Sequence, residues 1–391
     1  MKKIAFVVHR YGMDVNGGAE YHCRVLAEHL TSLYEVDVLT SCARNYTPWD
    51  NFYQEGTEQI NHVNVHRFPV EKIRDENIME ELSKRIGEAD RAVEEEWIAQ
   101  MGPYCPSFVP YLKENADKYE AVIFITYVFY FAVKGIGLHL RNAILLPTAH
   151  EDTTIRLPIY RDVFQAPQAI LYNSVGEKQF ITENFDTESK LSRLTCVGID
   201  IPEEREYQFP DHLKEHEDNY IVYVGRVSSG KNFNELNRDF IEYKKRNPSS
   251  LKLIVIGKTD DKMQITYSED IIYAGFVTEE EKTAILKRAK LLVMPSLYES
   301  LSLVILESMA VKRPILVNGR CAVLKGQCIR SNAGLYYTDY FEFEAGLNYI
   351  LHHQEAYEQM CENGYRFVRQ NYNWDKVIAD VSSLIGEIRN Q

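Results

Sequence analysis

Two glutamates stand eight residues apart in Glu299-Ser300-Leu301-Ser302-Leu303-Val304-Ile305-Leu306-Glu307, directly after the strand-like stretch LLVMPSLY. If Ser300 or Ser302 caps a helix here, the first backbone N–H groups of that helix are free to hold an anion, and a diphosphate needs no metal to sit there. Glu299, just ahead of the helix, is a carboxylate able to accept bonds from sugar hydroxyls. With every intervening residue helical, Glu307 lies about 12 Å further on, of the order of the hexose-to-ribose distance in a nucleotide sugar. An ordinary capped helix with two solvated glutamates has the same pattern.

A second segment, Gly225-Arg226-Val227-Ser228-Ser229-Gly230-Lys231-Asn232, comes close to the P-loop pattern GxxxxGK[ST] and follows an apolar run. It departs where a hydroxyl should ligate Mg²⁺, because Asn232 stands there, and LLVMPS offers no acidic partner for a metal. The other reading makes Arg226 and Lys231 a metal-free clamp on a diphosphate, one a planar fork of donors and the other a point charge. Near the N-terminus, Gly17-Gly18 precedes a helical stretch and can let backbone N–H groups approach an anion or a sugar. The GxGxxG fingerprint of a dinucleotide site is missing there. His150, in Pro147-Thr148-Ala149-His150-Glu151-Asp152, reads on its own as a strand-end histidine bonded to backbone.

The elements that must carry these residues are legible as apolar runs. Candidate strands are 4–8, 34–40, 64–68, 121–126, 142–147 and 169–173, then 220–224, 251–256, 271–275, 291–295 and 314–318. They are continuous Val/Ile/Leu runs, as buried parallel strands are, and they alternate with helical stretches such as Ala19–Leu30 and Glu279–Ala289. This predicts α/β architecture with doubly wound sheets, built twice. The polar stretch 201–219 has linker composition, and YIVYVG opens the second series. Two such domains put a cleft between the carboxyl ends of two sheets. Residues 71–118 interrupt the first series with a charge-rich, helically spaced stretch over 71–101 (Ile78, Leu82, Ile86, Ala89, Val93, Trp97). Gly102-Pro103 breaks it, a further helix is expected within 104–119, and a run of aromatics (Phe124, Tyr127, Phe129, Tyr130, Phe131) follows. The pattern reads as a helix packed on the sheet or as a wall shaping an acceptor pocket.

The chain has 391 residues with Lys+Arg 44 against Asp+Glu 57, a net charge of −13. Two domains are the expectation for that length. The acidic balance argues against nucleic acid as a partner and weakens tight binding to an anionic membrane. No apolar run approaches the ~20 residues of a membrane span. Met1-Lys2-Lys3 imitates the start of a signal peptide, but the run after it stops at His9-Arg10 and reads as a first strand, so the mature chain is expected to begin here. Seven scattered cysteines without CxxC or zinc spacing read as reduced cytoplasmic thiols.

Together these segments resemble the retaining GT-B glycosyltransferases of family 4. Met294-Pro295-Ser296-Leu297-Tyr298-Glu299 through Glu307-Ser308-Met309-Ala310 looks like the E-x7-E segment of that family. Gly17-Gly18-Ala19-Glu20 is similar to its N-terminal glycine loop, Val197-Gly198-Ile199-Asp200 to the end of its first domain, and Val224-Gly225-Arg226 with Lys231 to its GR…K segment. Tyr273–Val277 is similar to its GFV strand end, and Asn332–Tyr337 sits where relatives carry a TGLLV strand. Two departures stand out. Lys312 occupies a position where relatives have Gly, and 319–330 diverges from the usual loop.

The resemblance implies a GT-B fold, two Rossmann-like doubly wound domains facing a central cleft: 1–200 on the acceptor side with a helical insertion near 71–118, 201–372 for the nucleotide sugar, and 373–391 as a helix crossing back. Arg226 and Lys231 would hold the diphosphate and stabilise the leaving group. Glu299 would meet the donor sugar and Glu307 the ribose. Backbone at Ser302, Leu303 and Val304 would meet the phosphates, with the Gly17-Gly18 loop closing over them. His150 would line the reaction centre, positioning and electrostatic first and proton acceptor second, since the leaving phosphate can itself take the acceptor proton. Glu151, Asp152 and Tyr127 are acceptor-side candidates. No D-x-D occurs, which fits a hexosyltransferase needing neither metal nor other cofactor. The expected protein is cytoplasmic, at most peripheral at the inner face of the membrane, and acts in polysaccharide biosynthesis on a glycan or lipid-linked acceptor. The alternatives are a non-catalytic GT-B accessory protein that binds glycan, and an NDP-sugar epimerase on the same fold.

Overall fold

The computed structural model describes every residue except 16, 87–89, 153, 195–196, 261–262 and 391. It divides into two compact units, one of Met1–Gly198 with Trp374–Gln391, the other of Ile199–Asn373. The divisions therefore fall two residues before and one residue after those expected from composition. At the first of them, Gly198 packs its Cα on an indole. A Cβ there would lie 2.3 Å from the ring of Trp374, which itself stacks on His29 with centroids 3.8 Å apart.

The first unit holds an eight-stranded sheet in the order β3-β4-β2-β1-β5-β6-β7-β8. Its strands are β1 (Lys2–Val7), β2 (Tyr34–Ser41), β3 (Gly56–Ile60), β4 (Val63–Phe68), β5 (Ala121–Ile125), β6 (Ala143–Leu146), β7 (Ala169–Tyr172) and β8 (Leu191–Leu194). All neighbours are parallel except the β3–β4 hairpin. Neither edge strand was expected. β3 is GTEQI with an exposed pattern and β8 is LSRL, so neither carries the apolar run of a strand covered on both faces.

Each face of this sheet has its own core. On one face lie Ile4, Phe6, Leu26, Leu30 and Val38 with Val377, Val381 and Leu384 of the helix Trp374–Arg389. On the other lie Val7, Phe124 and Leu145 under Trp97, Phe108, Leu112 and Phe131. The 71–118 segment is therefore core cover, and Tyr127, Phe129, Tyr130 and Phe131 are all buried in it. It forms separate helices, Glu76–Arg85, Arg91–Met101 and Phe108–Asn115. Asp75 and Asp90 cap the first two by accepting backbone N–H bonds, which is why one expected helix is two. Ile78, expected on the apolar face, is 42% exposed, because Met79 and Leu82 take the buried positions of that short helix. Ala89 lies outside the described residues.

The second unit holds a six-stranded, wholly parallel sheet in the order β11-β10-β9-β12-β13-β14. Its strands are β9 (Tyr220–Val224), β10 (Lys252–Ile256), β11 (Ile271–Gly275), β12 (Leu292–Met294), β13 (Ile315–Asn318) and β14 (Gly334–Tyr337). Strand order reverses between β9 and β12, and between β1 and β5 in the first sheet. At such points the two adjoining connections run to opposite sides and leave a crevice at the carboxyl ends of the strands. No helix among the described residues is long and apolar enough to cross a membrane. The six described cysteines are free and buried, and Cys196 lies outside the described residues.

Candidate functional site

In the second unit the two loops at the switch point meet through an ion pair. Lys231 closes the short turn Ser229–Lys231 after β9, Glu299 lies in the loop after β12, and Lys231 Nζ stands 2.7 Å from Glu299 Oε1. The carboxylate side is the more enclosed, with side-chain exposures of 12% for Glu299 and 38% for Lys231. Asn232, where a P-loop wants a hydroxyl, adopts a left-handed conformation (φ 55°) at the start of the helix Phe233–Arg246. Its amide is spent on the Pro295 carbonyl at 3.1 Å, and Asn318 Nδ2 donates to the same oxygen at 3.0 Å. One carbonyl thus ties together the ends of β9, β12 and β13, and the sequence pattern gave no sign of it. Arg226 is exposed, and its carbonyl accepts from the Tyr223 hydroxyl at 2.7 Å.

The helix after Glu299 runs from Leu303 to Ala310. Ser302 occupies the cap position with no side-chain cap hydrogen bond, so the expected serine cap does not form in that way. The segment from Glu299 to Ser302 is not helical, and the all-helical spacing of the two glutamates does not apply. Lys312, where the resemblance leads one to expect Gly, has φ 58° just past the helix end. That is the left-handed conformation glycine adopts most cheaply. The divergent stretch 319–330 is mostly helix, Ala322–Ser331.

Glu307 is held by a residue that sequence reading missed. Lys282 Nζ is 3.0 Å from Glu307 and 2.7 Å from Glu279. Burial would lower the Lys282 pKa, but the charges of Glu307 and Glu279 outweigh it and raise it above the usual lysine range. Local spacing shows the Glu279 pair, whereas the Glu307 pair joins residues 25 apart and has no local signature. Among the described residues no group of three or more His, Cys, Asp or Glu side chains is arranged to hold a metal ion.

In the first unit, Gly17 caps the helix Gly18–Leu30. Its need for glycine is specific, since a Cβ would stand 2.1 Å from Glu20 Oε2, whereas a Cβ on Gly18 would meet nothing within 4 Å. Glu20 is buried between His9 Nε2, at 2.8 Å, and the Arg10 guanidinium, with Arg10 Nε at 3.0 Å. Burial raises the Glu20 pKa, but His9 and Arg10 outweigh it and hold it well below the usual carboxylate range. Burial also keeps His9 below its ordinary value, so at neutral pH the positive partner is Arg10. The unfolded chain then binds more protons than the folded one at acid pH. Stability from Glu20 is present in full above its unfolded value and is lost as pH falls from there through its folded value of about 2. Glu20→Gln is expected to melt below wild type at pH 7, by roughly 3 kcal/mol, because the buried Arg10 guanidinium loses its carboxylate. The gap should close on acidification from pH ~5 to ~2. Melting curves across that range check it, and a gap that is constant or widens contradicts it.

Tyr127 is only 3% exposed, and its hydroxyl donates to Asp152 Oδ2 at 2.6 Å. Asp152 Oδ1 accepts from Thr154 N, Thr154 Oγ1 and Ile155 N at 2.7, 2.7 and 2.9 Å. Burial pushes the Asp152 pKa up, but these four bonds prevail and keep it low. The structure thus brings Tyr127 and Asp152 together through one side-chain hydrogen bond. Glu151 is turned away, exposed and 3.3 Å from Arg156. His150 is half-buried in the loop after β6. The carboxylate of Glu177, in the helix Val175–Asn184, reaches the backbone beside it. Its signal in the sequence was Ser174-Val175-Gly176-Glu177, an S-x-x-E capping pattern.

Residues 204–367 match the family model described as glycosyl transferases group 1. An uncharacterized glycosyltransferase of Methanocaldococcus jannaschii is 23% identical across 98% of this chain and 97% of its own length. Among solved structures, sucrose-phosphate synthase from Thermosynechococcus elongatus superposes with a TM-score of 0.71 at 15% identity, covering 99% of both chains. Anabaena HepE in complex with UDP and glucose gives 0.70 at 14%, over 99% of this chain and 100% of that one. An E. coli trehalose-6-phosphate protein bound with UDP-2-fluoro glucose gives 0.73 at 11%, over 100% and 99%. At these identities the superpositions show the fold, which is GT-B with two parallel-sheet, Rossmann-like domains. The second unit carries a glycosyl transferases group 1 domain, and the chain is a glycosyltransferase.

Proposed function

We propose that this glycosyltransferase moves a hexose from a nucleoside-diphosphate sugar to a hydroxyl of a glycan or lipid-linked acceptor, retaining the anomeric configuration and using no metal. The observation that carries the reading is the Lys231–Glu299 pair at the switch point of the second sheet, inside the stretch that matches the family model. Nucleotide-sugar chemistry is supported by two similar structures, one bound to UDP and glucose and one to UDP-2-fluoro glucose.

In this reading Arg226 and Lys231 neutralise the diphosphate as the glycosidic bond lengthens. The charge that develops on the departing oxygen meets donors already in place, so little reorganisation is needed. The N-terminal backbone of the helix Leu303–Ala310, around Ser302, Leu303 and Val304, adds dipolar stabilisation. Glu299, enclosed and steered by Lys231, accepts from the donor sugar hydroxyls. Glu307, held by Lys282, accepts from the ribose. His150 serves at the reacting sugar as a positioning and electrostatic group, while the leaving phosphate takes the acceptor proton. Asp152 has its oxygens engaged by Tyr127, Thr154 and Ile155, so in the proposal it shapes the loop after His150.

Incubation with UDP-, GDP- and ADP-hexoses is expected to identify one donor that binds and releases its nucleoside diphosphate. An intact fold with no binding and no release for any donor overturns the proposal. A donor epimerised without an acceptor assigns the site to a different reaction.

A further inference from the structure

The loop that carries His150 is bent in a way its own sequence does not favour. Thr148 has φ 48°, in the left-handed region that β-branched residues avoid. Such a conformation persists only where its surroundings over-determine it, and it collects at functional sites. The next residue supplies the tie. Ala149 N–H donates to Glu177 Oε1 at 2.5 Å, while Asn173 N–H donates to Glu177 Oε2 at 2.6 Å. One buried carboxyl group, 1% exposed, thus clamps the Thr148–Ala149 peptide to the residue after β7. Its helix needs less than this from it. Ser174 already caps that helix by accepting the Glu177 N–H at 3.1 Å. A carboxylate serving only the cap would fold back on its own turn, with no reach to the neighbouring loop. The bonds from Asn173 and Ala149 offset part of the cost of burial, which still pushes Glu177 up to about 8.

We propose that Glu177 is a positioning residue for His150, its carboxylate holding the left-handed turn at Thr148 and thereby fixing where the imidazole is presented. The inference rests on the reading of His150 as a residue of the reacting site, and its test is chosen to fail separately. The chain has 11 histidines, so protein carrying ¹³C-labelled imidazoles gives a small set of ring resonances. His150→Gln identifies the His150 line by its disappearance.

In Glu177→Gln, where an amide N–H₂ faces one of the two backbone donors, the His150 line is expected to shift or broaden while the distant imidazoles stay in place. Glu177→Asp, which keeps the carboxyl group but withdraws it by one methylene, is the second variant and is expected to do the same. Ser174→Ala weakens the same helix without removing the carboxylate, and is expected to lower the melting temperature while leaving the His150 line where it was. In turnover, Glu177→Gln is expected to lower kcat at least tenfold with donor KM within about twofold. A His150 line unmoved in both Glu177 variants, or moved as far by Ser174→Ala, overturns the inference. If His150→Gln instead leaves turnover intact, the functional reading of His150 fails while the structural coupling can still be read from the spectra.

Discussion

Lys231→Ala is expected to lower donor turnover about a hundred- to a thousand-fold, the usual loss when one preorganised charge is taken from a developing anion. Stability should barely follow. The pair with Glu299 spans 2.7 Å, but the lysine side is 38% exposed. Solvent screening leaves a pair of that kind worth about 1 kcal/mol or less. The loss should appear in kcat and in the affinity for free nucleoside diphosphate, because both depend on the clamp. Lys231→Arg keeps the charge but replaces a point donor with a planar fork, and should recover part of the loss. Glu299→Gln separates the partners, since it leaves Lys231 charged and free to meet the diphosphate while weakening the grip on the sugar. Steady-state kinetics on the three variants, with melting curves alongside, give the comparison. A Lys231→Ala enzyme near the wild-type rate would sink the clamp assignment.

Gly257→Ala is expected to unfold the second unit or leave it on the order of 3–5 kcal/mol less stable. Gly257 has φ +139°, and a Cβ there would lie 1.9 Å from the Gly225 carbonyl oxygen. That neighbour is backbone and cannot rotate aside. It also belongs to the loop bearing Arg226, where Gly225 N–H bonds Ile256 O at 2.9 Å and Val227 N–H bonds Lys258 O at 3.0 Å. Any shift that accommodates the methyl group therefore displaces the clamp. Gly275→Ala is the matched control, with φ +68° but nothing within 4 Å of the added carbon. It should cost only about 1 kcal/mol, the penalty of a left-handed non-glycine residue. Urea unfolding followed by a probe confined to residues 199–373 measures both, because a chain of two units need not unfold in one step. Equal costs for the two variants would show that the close approach of β9 and β10 is not what demands glycine.

What the chain disclosed on its own follows from where each interaction is encoded. The central parallel strands were legible because strands covered on both faces must be continuously apolar. The edge strands β3 and β8 were not, because an exposed edge can be polar and still pair. Glu299, Glu307 and Lys231 stood out by spacing, but the contacts that hold them are long-range. Lys282 is 25 residues from Glu307, and Asn232, at a helix start, and Asn318, at the end of β13, reach Pro295 from separate elements. Gly17 stood out only as half of a glycine pair that could admit an anion or a sugar to a helix start, and the structure shows another demand on it. The reason is the carboxylate of Glu20 three residues on, a side chain whose burial no local pattern announces. Tyr127 was placed among candidate acceptor contacts for its aromatic neighbourhood, and the same neighbourhood buries it.

The central claim is metal-free transfer from a nucleotide sugar held by Lys231, Arg226 and Glu299. Its most direct test is nucleoside-diphosphate release from the cognate donor in excess EDTA, compared with the rate in Mg²⁺ or Mn²⁺. The account predicts equal rates with chelator and with metal, and a rate in chelator that falls at least a hundred-fold in Lys231→Ala. Turnover abolished by EDTA and restored by a divalent cation would contradict it.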